Sequence, residues 1–194
     1  MKHDVVLAGV GGQGVLTVAA ILAEAARRSG LRVKQGEIHG MSQRGGAVLA
    51  TVRMADGTID SDLIPRGSGD LLLGLEPLEA LRYLDYLAGD AHLVTAADPM
   101  ENIPDYPDLE EIRDLIGRVP GSVMVEAGAL AKEAGSPRAA NVVMVGAATP
   151  FLPLDPATVA DCITEGFGLK GERVVEINLR AFEAGRAAVA AANG

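Results

Sequence analysis

The sequence has very little cysteine and few aromatic residues. Cys162 is the single cysteine among 194 residues, and tryptophan is absent. An internal disulfide is therefore excluded, and the composition points to a reducing compartment. An iron–sulfur cluster held by this chain alone is excluded too, because such clusters need about four thiolates. Aromatic residues make up 3% of the chain against 48% hydrophobic residues, so the core must be aliphatic.

Long apolar runs are also missing. No stretch reaches the roughly 20 residues that a membrane-spanning helix needs. The first apolar run, residues 4–8, has the length of a strand and leads directly into glycines, which is not the pattern of a signal peptide. We therefore expect a soluble, cytoplasmic protein that does not contact a membrane.

The charge is acidic overall and unevenly distributed. The net charge of −9 argues against general binding of nucleic acid. Residues 1–66 carry eight Lys or Arg and six Asp or Glu, whereas residues 67–194 carry nine against twenty. The split either arises by chance or provides positive charge for a local anion site in the first third of the chain.

A glycine turn stands between a predicted strand at residues 4–8 and a predicted helix at residues 15–26. Gly9, Gly11 and Gly14 match the G-x-G-x-x-G spacing. Glycine permits a positive φ and a close approach of the backbone, and the first N–H groups of a helix are free to face an anion. The turn indicates either an anion site or a tight strand–helix junction without a ligand.

A nicotinamide cofactor is weakly supported by the residues after the second predicted strand. A dinucleotide-binding fold usually has an acidic residue there, but Gln35 and Gly36 occupy the position and Glu37 follows. A stand-alone NAD(P)-binding Rossmann protein therefore stays open as an alternative.

The order of predicted elements indicates an α/β fold. A strand, a helix and a strand within the first 35 residues form a βαβ unit, which implies a parallel sheet. Residues 47–54 form a further strand, and Asp56–Gly57 is a strong hairpin signal with a return through residues 58–61. We predict one domain over residues 1–194, a Rossmann-like three-layer sandwich whose mostly parallel sheet contains an antiparallel hairpin near 47–61. Residues 141–148 fit either a strand or a buried helix.

Two motifs together resemble a known family. The glycine turn and the stretch His39-Gly-Met-Ser-Gln-Arg-Gly-Gly46 are similar to the gamma-type subunit of 2-oxoacid:ferredoxin oxidoreductases. More narrowly, they resemble the beta subunit of indolepyruvate:ferredoxin oxidoreductase. The resemblance covers nearly the whole chain and extends to residues 141–147 and 178–185.

The resemblance implies one subunit of a larger oxidoreductase. In this family a 2-oxoacid is decarboxylated on thiamine diphosphate, electrons pass through 4Fe-4S clusters to ferredoxin, and coenzyme A receives the acyl group. The chain has one cysteine, and Ser68–Gly69–Asp70 is its nearest match to the Mg²⁺–diphosphate signature of thiamine enzymes. We therefore expect thiamine diphosphate, Mg²⁺ and the clusters in a partner alpha subunit, through which ferredoxin is reached. A gamma subunit for another 2-oxoacid is the alternative, and the isolated chain could form a homodimer.

The resemblance also suggests a role in holding coenzyme A. We expect the N–H groups of the glycine turn to face one of its phosphates, assisted by the Arg44 guanidinium. Arg44 could instead pair with a carboxylate at the subunit contact. The predicted cofactor-binding residues are Gly9, Gly11, Gly12, Gln13, Gly14, Ser42, Gln43 and Arg44.

The remaining polar residues give few candidates. His39 is either a proton donor near the thiamine or a structural histidine of the loop. Ser42 and Gln43 either bind a ligand or form hydrogen bonds within the loop. His3 and His92 have no companions at the spacing of metal ligands, so we predict no metal site on this chain.

Overall fold

A computed structural model describes residues 1–39 and 45–192, and of His39 only the backbone. Within these ranges, the backbone forms one six-stranded sheet with the order β2-β3-β1-β4-β5-β6. Strands β1, β4, β5 and β6 are parallel, and β3 runs antiparallel to both of its neighbours, β1 and β2. The strands are β1 (Lys2–Val10), β2 (Arg32–His39), β3 (Ala47–Ala55), β4 (Gly69–Gly74), β5 (Leu87–Ala96) and β6 (Val123–Val125).

Helices cover both faces of the sheet. In the described ranges they are α1 (Val15–Arg28), α2 (Pro77–Arg82), α3 (Leu109–Gly117), α4 (Ala127–Ala134), α5 (Ala140–Ala148), α6 (Pro156–Gly168) and α7 (Glu172–Ala192). The larger core cluster contains buried residues of α1, α4, α5, α6 and α7, and the smaller one contains those of α2 and α3. The molecule is therefore a three-layer sandwich with a mostly parallel sheet, as predicted.

Strand β1 is the centre of this arrangement. Val5 and Leu7 belong to the larger cluster, whereas Val6 and Ala8 belong to the smaller one, and all four are fully buried. Successive side chains of a strand point to opposite faces. A strand covered on both faces therefore has a continuous apolar run, which is the pattern found in the sequence.

The antiparallel hairpin differs from the predicted one. Residues 58–61 form no strand, and β3 pairs instead with the preceding strand β2. The reason is that both edges of β3 are occupied, by β1 on one side and β2 on the other. The chain after β3 is held by Arg53, whose Nη1 donates hydrogen bonds to the carbonyls of Ser61 (3.0 Å) and Leu63 (2.6 Å). Since β3 separates β1 from β2, the predicted βαβ unit joins two strands that are not neighbours.

Residues 141–148, which the sequence left open, belong to helix α5. This helix packs against α7 at two glycines. A Cβ atom on Gly146 would lie 2.0 Å from the Phe182 carbonyl oxygen, and one on Gly185 would lie 1.9 Å from that of Val143. The two helices therefore approach to a distance that only glycine allows. Along the described residues, no helix is long and apolar enough to span a membrane.

Candidate functional site

The glycine turn connects the end of β1 to the start of α1 and has two residues with a positive φ. Gly12 has φ +107°, and Gly14, the N-cap of α1, has φ +87°. A Cβ atom on Gly12 would meet nothing within 4 Å, whereas one on Gly14 would lie 2.5 Å from Nδ2 of Asn141. Position 12 thus favours glycine because of its positive φ, and it faces open space. Position 14 favours glycine for the same reason and also because a side chain there would collide with Asn141 of α5.

Gln13 fastens the turn to the neighbouring strand. Its Oε1 accepts a hydrogen bond from the Val10 N–H at 2.8 Å, and its Nε2 donates one to the Leu75 carbonyl at 3.0 Å. Its own N–H donates to the Val10 carbonyl at 3.1 Å. Both ends of the side chain and the backbone N–H are therefore engaged within the protein, so Gln13 positions the turn. Its predicted contact with a cofactor would have to replace these bonds.

Gly11 joins the turn to the segment that leads into β3. Its N–H donates to the Gly46 carbonyl at 2.8 Å, and its carbonyl accepts from the Gly45 N–H at 3.2 Å. The structure thus brings the ends of the two sequence motifs together. Among the described residues, the N–H groups of Gly12 and Gly14 have no hydrogen-bond acceptor. Of the N–H groups that were predicted to face a phosphate, those of Gly11, Gly12, Gln13 and Gly14, only the Gly12 and Gly14 groups are thus left free for an anion by the described residues.

A cleft of about 230 Å³ opens beside the turn. It lies at the carboxyl ends of the parallel strands, where open α/β sheets bind their ligands. Its walls are formed by the glycine turn, by Leu75 after β4, by Ala96 and Asp98 at the end of β5, by the start of α4 and by residues 137–144. The geometry therefore places the glycine turn at a concave site.

Two charged side chains line the cleft. Asp98 accepts a hydrogen bond from the Gly128 N–H through Oδ2 at 2.8 Å, so its carboxylate is directed at the N-terminal end of α4. Arg138 lines the same cleft from an exposed turn, and its guanidinium has no ion pair within the described part of the chain. An anion near Gly12 would find its cationic partner in Arg138. The sequence around Arg138 carries no binding motif, because Ser136–Pro137 signals only the start of a short helix.

A second pocket of about 370 Å³ shares Arg138 and Asn141 with the cleft. It also contains Thr17 from α1 and Lys170, whose Nζ lies 4.9 Å from the centre of the Phe167 ring. No Asp or Glu lies among its described lining residues. In a protein with a net charge of −9, this concentration of positive charge favours a phosphate or carboxylate ligand.

Several predicted site residues stay untested. Ser42, Gln43 and Arg44 lie outside the described residues, and so does the side chain of His39. The roles predicted for these residues therefore stay predictions.

Gly9 is described, and a Cβ atom on it would lie 2.8 Å from Val15 and 3.2 Å from Leu75. Gly9 thus permits the close junction of strand and helix. Across the described residues, no three His, Cys, Asp or Glu side chains lie close enough to hold a metal ion.

Comparison with known proteins assigns the chain to a family. A sequence profile of pyruvate ferredoxin/flavodoxin oxidoreductases matches residues 4–188. The chain belongs to this family. The match spans both glycine motifs and almost all of the described fold, and it confirms the resemblance found in the sequence. It also favours a subunit of such an oxidoreductase over a stand-alone NAD(P)-binding protein.

Curated relatives in this family extend over nearly the same length. The indolepyruvate oxidoreductase subunit IorB of Thermococcus kodakarensis is 38% identical over 194 residues, covering 95% of this chain and 94% of that subunit. IorB of Methanothermobacter thermautotrophicus is 36% identical and covers 98% of this chain and 99% of that subunit. The 2-oxoglutarate synthase subunit KorC of Methanothermobacter marburgensis is 31% identical, with 96% of each chain covered.

Solved structures in the family share the fold. The gamma subunit of a keto/oxoacid ferredoxin oxidoreductase from Geobacter sulfurreducens superposes with a TM-score of 0.69 at 24% identity, covering 97% of this chain and 99% of that one. The 2-oxoglutarate:ferredoxin oxidoreductase of Magnetococcus marinus gives a TM-score of 0.77 at 23% identity, covering 98% of this chain but 31% of that longer one. These superpositions confirm the predicted fold class.

Proposed function

We propose that this chain is a subunit of an indolepyruvate:ferredoxin oxidoreductase. The reaction releases the carboxylate of an aryl 2-oxoacid as CO₂, joins the acyl group to the sulfur of coenzyme A, and passes two electrons to ferredoxin. The observation that supports it is that this chain has a higher sequence identity to indolepyruvate oxidoreductase subunits than to 2-oxoglutarate synthase subunits. Four indolepyruvate subunits are 36–39% identical to this chain, whereas three 2-oxoglutarate subunits are 30–31% identical.

The chain would work only in a complex. It has one cysteine, and an iron–sulfur cluster needs about four thiolates. The proposal therefore places the clusters, thiamine diphosphate and Mg²⁺ on an alpha subunit, through which electrons reach ferredoxin. We also propose that the complex is cytoplasmic. Whether the isolated chain forms a homodimer is a question for measurement. A different 2-oxoacid is the second candidate, supported by the 31% identity to KorC.

Coexpression with an alpha subunit of an indolepyruvate:ferredoxin oxidoreductase tests this assignment. The assembled enzyme should reduce ferredoxin with indolepyruvate at a kcat/KM at least about tenfold above that for 2-oxoglutarate or pyruvate, since one well-fitted apolar group gives discrimination of this order. The chain alone should reduce no ferredoxin with any 2-oxoacid. A higher kcat/KM for 2-oxoglutarate would contradict the substrate, and full activity of the chain alone would contradict the role as a subunit.

The proposal includes a part for this chain in holding coenzyme A. A phosphate in the cleft would accept hydrogen bonds from the free N–H groups of Gly12 and Gly14. The N-terminus of α1 would contribute about 0.3–1 kcal/mol to its binding. That is too little alone, so the Arg138 guanidinium supplies a charge-assisted bond, worth about 1.5–3 kcal/mol. Lys170 and Thr17 of the second pocket would bind another phosphate of the same molecule, and Arg44 stays part of the proposed site.

Two substitutions in the assembled enzyme test the coenzyme A site. Arg138→Ala and Gly12→Asp should each raise the KM for coenzyme A by about tenfold, since the loss of about 1.4 kcal/mol of binding corresponds to that factor. The KM for the 2-oxoacid should stay unchanged. Gly12→Ala separates the strain at positive φ from the added charge.

Arg173→Ala is the matched control for the loss of an exposed arginine. Its exposed side chain lies at the start of α7 and forms no ion pair with a described residue. An unchanged KM for coenzyme A in both Arg138→Ala and Gly12→Asp would show that the cleft does not bind this ligand.

A further inference from the structure

The segment between β5 and α3, residues 97–108, is bound to Glu76 at the start of α2 and to Gly45, the residue that bonds the glycine turn at Gly11. It contains three prolines, which limit its freedom in the unfolded chain. Its first residues lie at the cleft, where Asp98 accepts from the Gly128 N–H. Further along, Asn102 donates through Nδ2 to the Gly45 carbonyl at 2.9 Å. The segment thus passes from the cleft to the junction of the two glycine motifs.

Glu76, at the start of α2, anchors this segment. The residue is 1% exposed and caps helix α2, where its Oε2 accepts a hydrogen bond from the Glu79 N–H at 2.7 Å. Its Oε1 accepts from the Met100 N–H at 3.3 Å and from the Tyr106 hydroxyl. Burial and this contact raise the pKa of Tyr106, so the hydroxyl stays a donor at neutral pH. A buried carboxylate with three donors is a rigid point of attachment.

The short chain segment from Met100 to Asn102 and two hydrogen bonds beyond it join this anchor to the glycine turn. Asn102 holds Gly45, and Gly45 in turn donates to the Gly11 carbonyl at 3.2 Å. The turn is also held directly by Leu75, the residue before Glu76, because the Leu75 carbonyl accepts a hydrogen bond from the Gln13 side chain. The turn is therefore held at Gly11 and at Gln13 by two routes that begin at adjacent residues after β4.

We propose that residues 97–108 form a strap that positions the glycine turn, with Asn102 as its positioning residue and Glu76 as its anchor. The inference rests on the proposed binding of coenzyme A at that turn. Gly45 and Gly12 both have a positive φ and open space at the Cβ position. Glycines lose more backbone freedom on ordering than other residues, so bonds that restrain them from outside prepare the Gly12 and Gly14 N–H groups for a ligand.

The test compares variants of the assembled enzyme. Asn102→Ala should raise the KM for coenzyme A about fivefold, as expected for the loss of one hydrogen bond, while kcat and the KM for the 2-oxoacid stay within about twofold. Tyr106→Phe removes the hydroxyl that binds Glu76 and should act in the same direction with a smaller effect. Asp105→Ala is the control for truncation in the same segment, because its exposed side chain makes no hydrogen bond or ion pair with the described residues.

Hydrogen exchange measured on the same complexes gives a readout that does not depend on coenzyme A. Asn102→Ala and Tyr106→Phe should increase the exchange rate of the Gly11 and Gly45 amides severalfold, and Asp105→Ala should not. Unchanged exchange and unchanged KM in both strap variants, while Arg138→Ala still raises the KM, would overturn the strap and leave the coenzyme A site intact. Faster exchange with an unchanged KM in every variant, Arg138→Ala included, would overturn the coenzyme A site and the role of the strap in it.

Discussion

At the scale of single residues, Glu79 is a carboxyl group in surroundings that do not favour its charge. The residue is 2% exposed, and its Oε2 has no hydrogen-bond partner within the described part of the protein. Arg82 lies 3.5 Å from the other oxygen. Burial raises the pKa of Glu79, and the charge of Arg82 opposes this rise only in part.

A raised pKa in the folded state has a defined sign for stability. Between the ordinary pKa of a glutamate, about 4.3, and the raised value, the folded protein binds more protons than the unfolded chain. The contribution of Glu79 to stability is therefore largest at low pH and decreases as the pH rises through the raised pKa. Glu79→Gln removes this loss, so it should increase the free energy of unfolding at pH 8 and change it little at pH 4.

Urea unfolding of the two proteins between pH 4 and pH 8 measures this difference. Glu133→Gln is the control, because Glu133 is exposed on α4 and forms no ion pair with a described residue. It reports the effect of removing a carboxylate that is not buried. If Glu79→Gln is less stable than the parent protein at pH 8, the attraction of Arg82 outweighs the burial of the charge.

The site could be predicted from the sequence only in part, because its residues act through distant partners. The spacing of Gly9, Gly11 and Gly14 correctly located the strand–helix turn. The spacing could not show that the Gly11 N–H is bound, because its acceptor is the carbonyl of Gly46, which lies 35 residues further along the chain. Arg138 could not be recognised for a similar reason: it lies in the short turn between α4 and α5, and only the folded chain brings it to the cleft.

At the scale of elements, local patterns predicted those whose own sequence carries a clear signal. The buried strand β1 follows from the apolar run at residues 4–8, and helix α1 follows the glycine turn, as expected for the predicted helix at residues 15–26. The predicted return strand at 58–61 depended on Asp56–Gly57 alone, and a turn signal does not show whether the sheet edge is free. It failed because β2 already occupied that edge.

Helix α5 shows a different limit of sequence patterns. Its residues from Val142 to Ala148 are all buried, since α7 and the sheet enclose it. A helix that is apolar on every side has no amphipathic period, so its sequence resembles that of a buried strand. What distinguishes α5 is its close packing on α7, where Gly146 meets the backbone of α7 and Gly185 meets the backbone of α5. This packing is a tertiary feature that the local sequence does not show.

At the scale of the whole molecule, this fold is a unit that also occurs inside longer chains. The 2-oxoglutarate:ferredoxin oxidoreductase chain of Magnetococcus marinus, of which this chain covers 31%, is one example. The larger core cluster here extends from Val5 in β1 to Val189 in α7, so both ends of the chain contribute to one core. These features support our proposal that residues 1–194 form a single domain.

A single domain of this size should unfold in one cooperative step, because the shared core cannot open in halves. Calorimetry of the purified chain should give one transition with equal calorimetric and van't Hoff enthalpies. For 194 residues, the enthalpy near 60 °C should be about 140 kcal/mol and the heat-capacity change roughly 2.3–2.9 kcal/mol/K. Val189→Ala, at the far end of the core, should lower the temperature of the whole transition by a few degrees without splitting it. Two separable transitions, or a shift confined to part of the enthalpy, would show that the C-terminal helices fold as an independent unit.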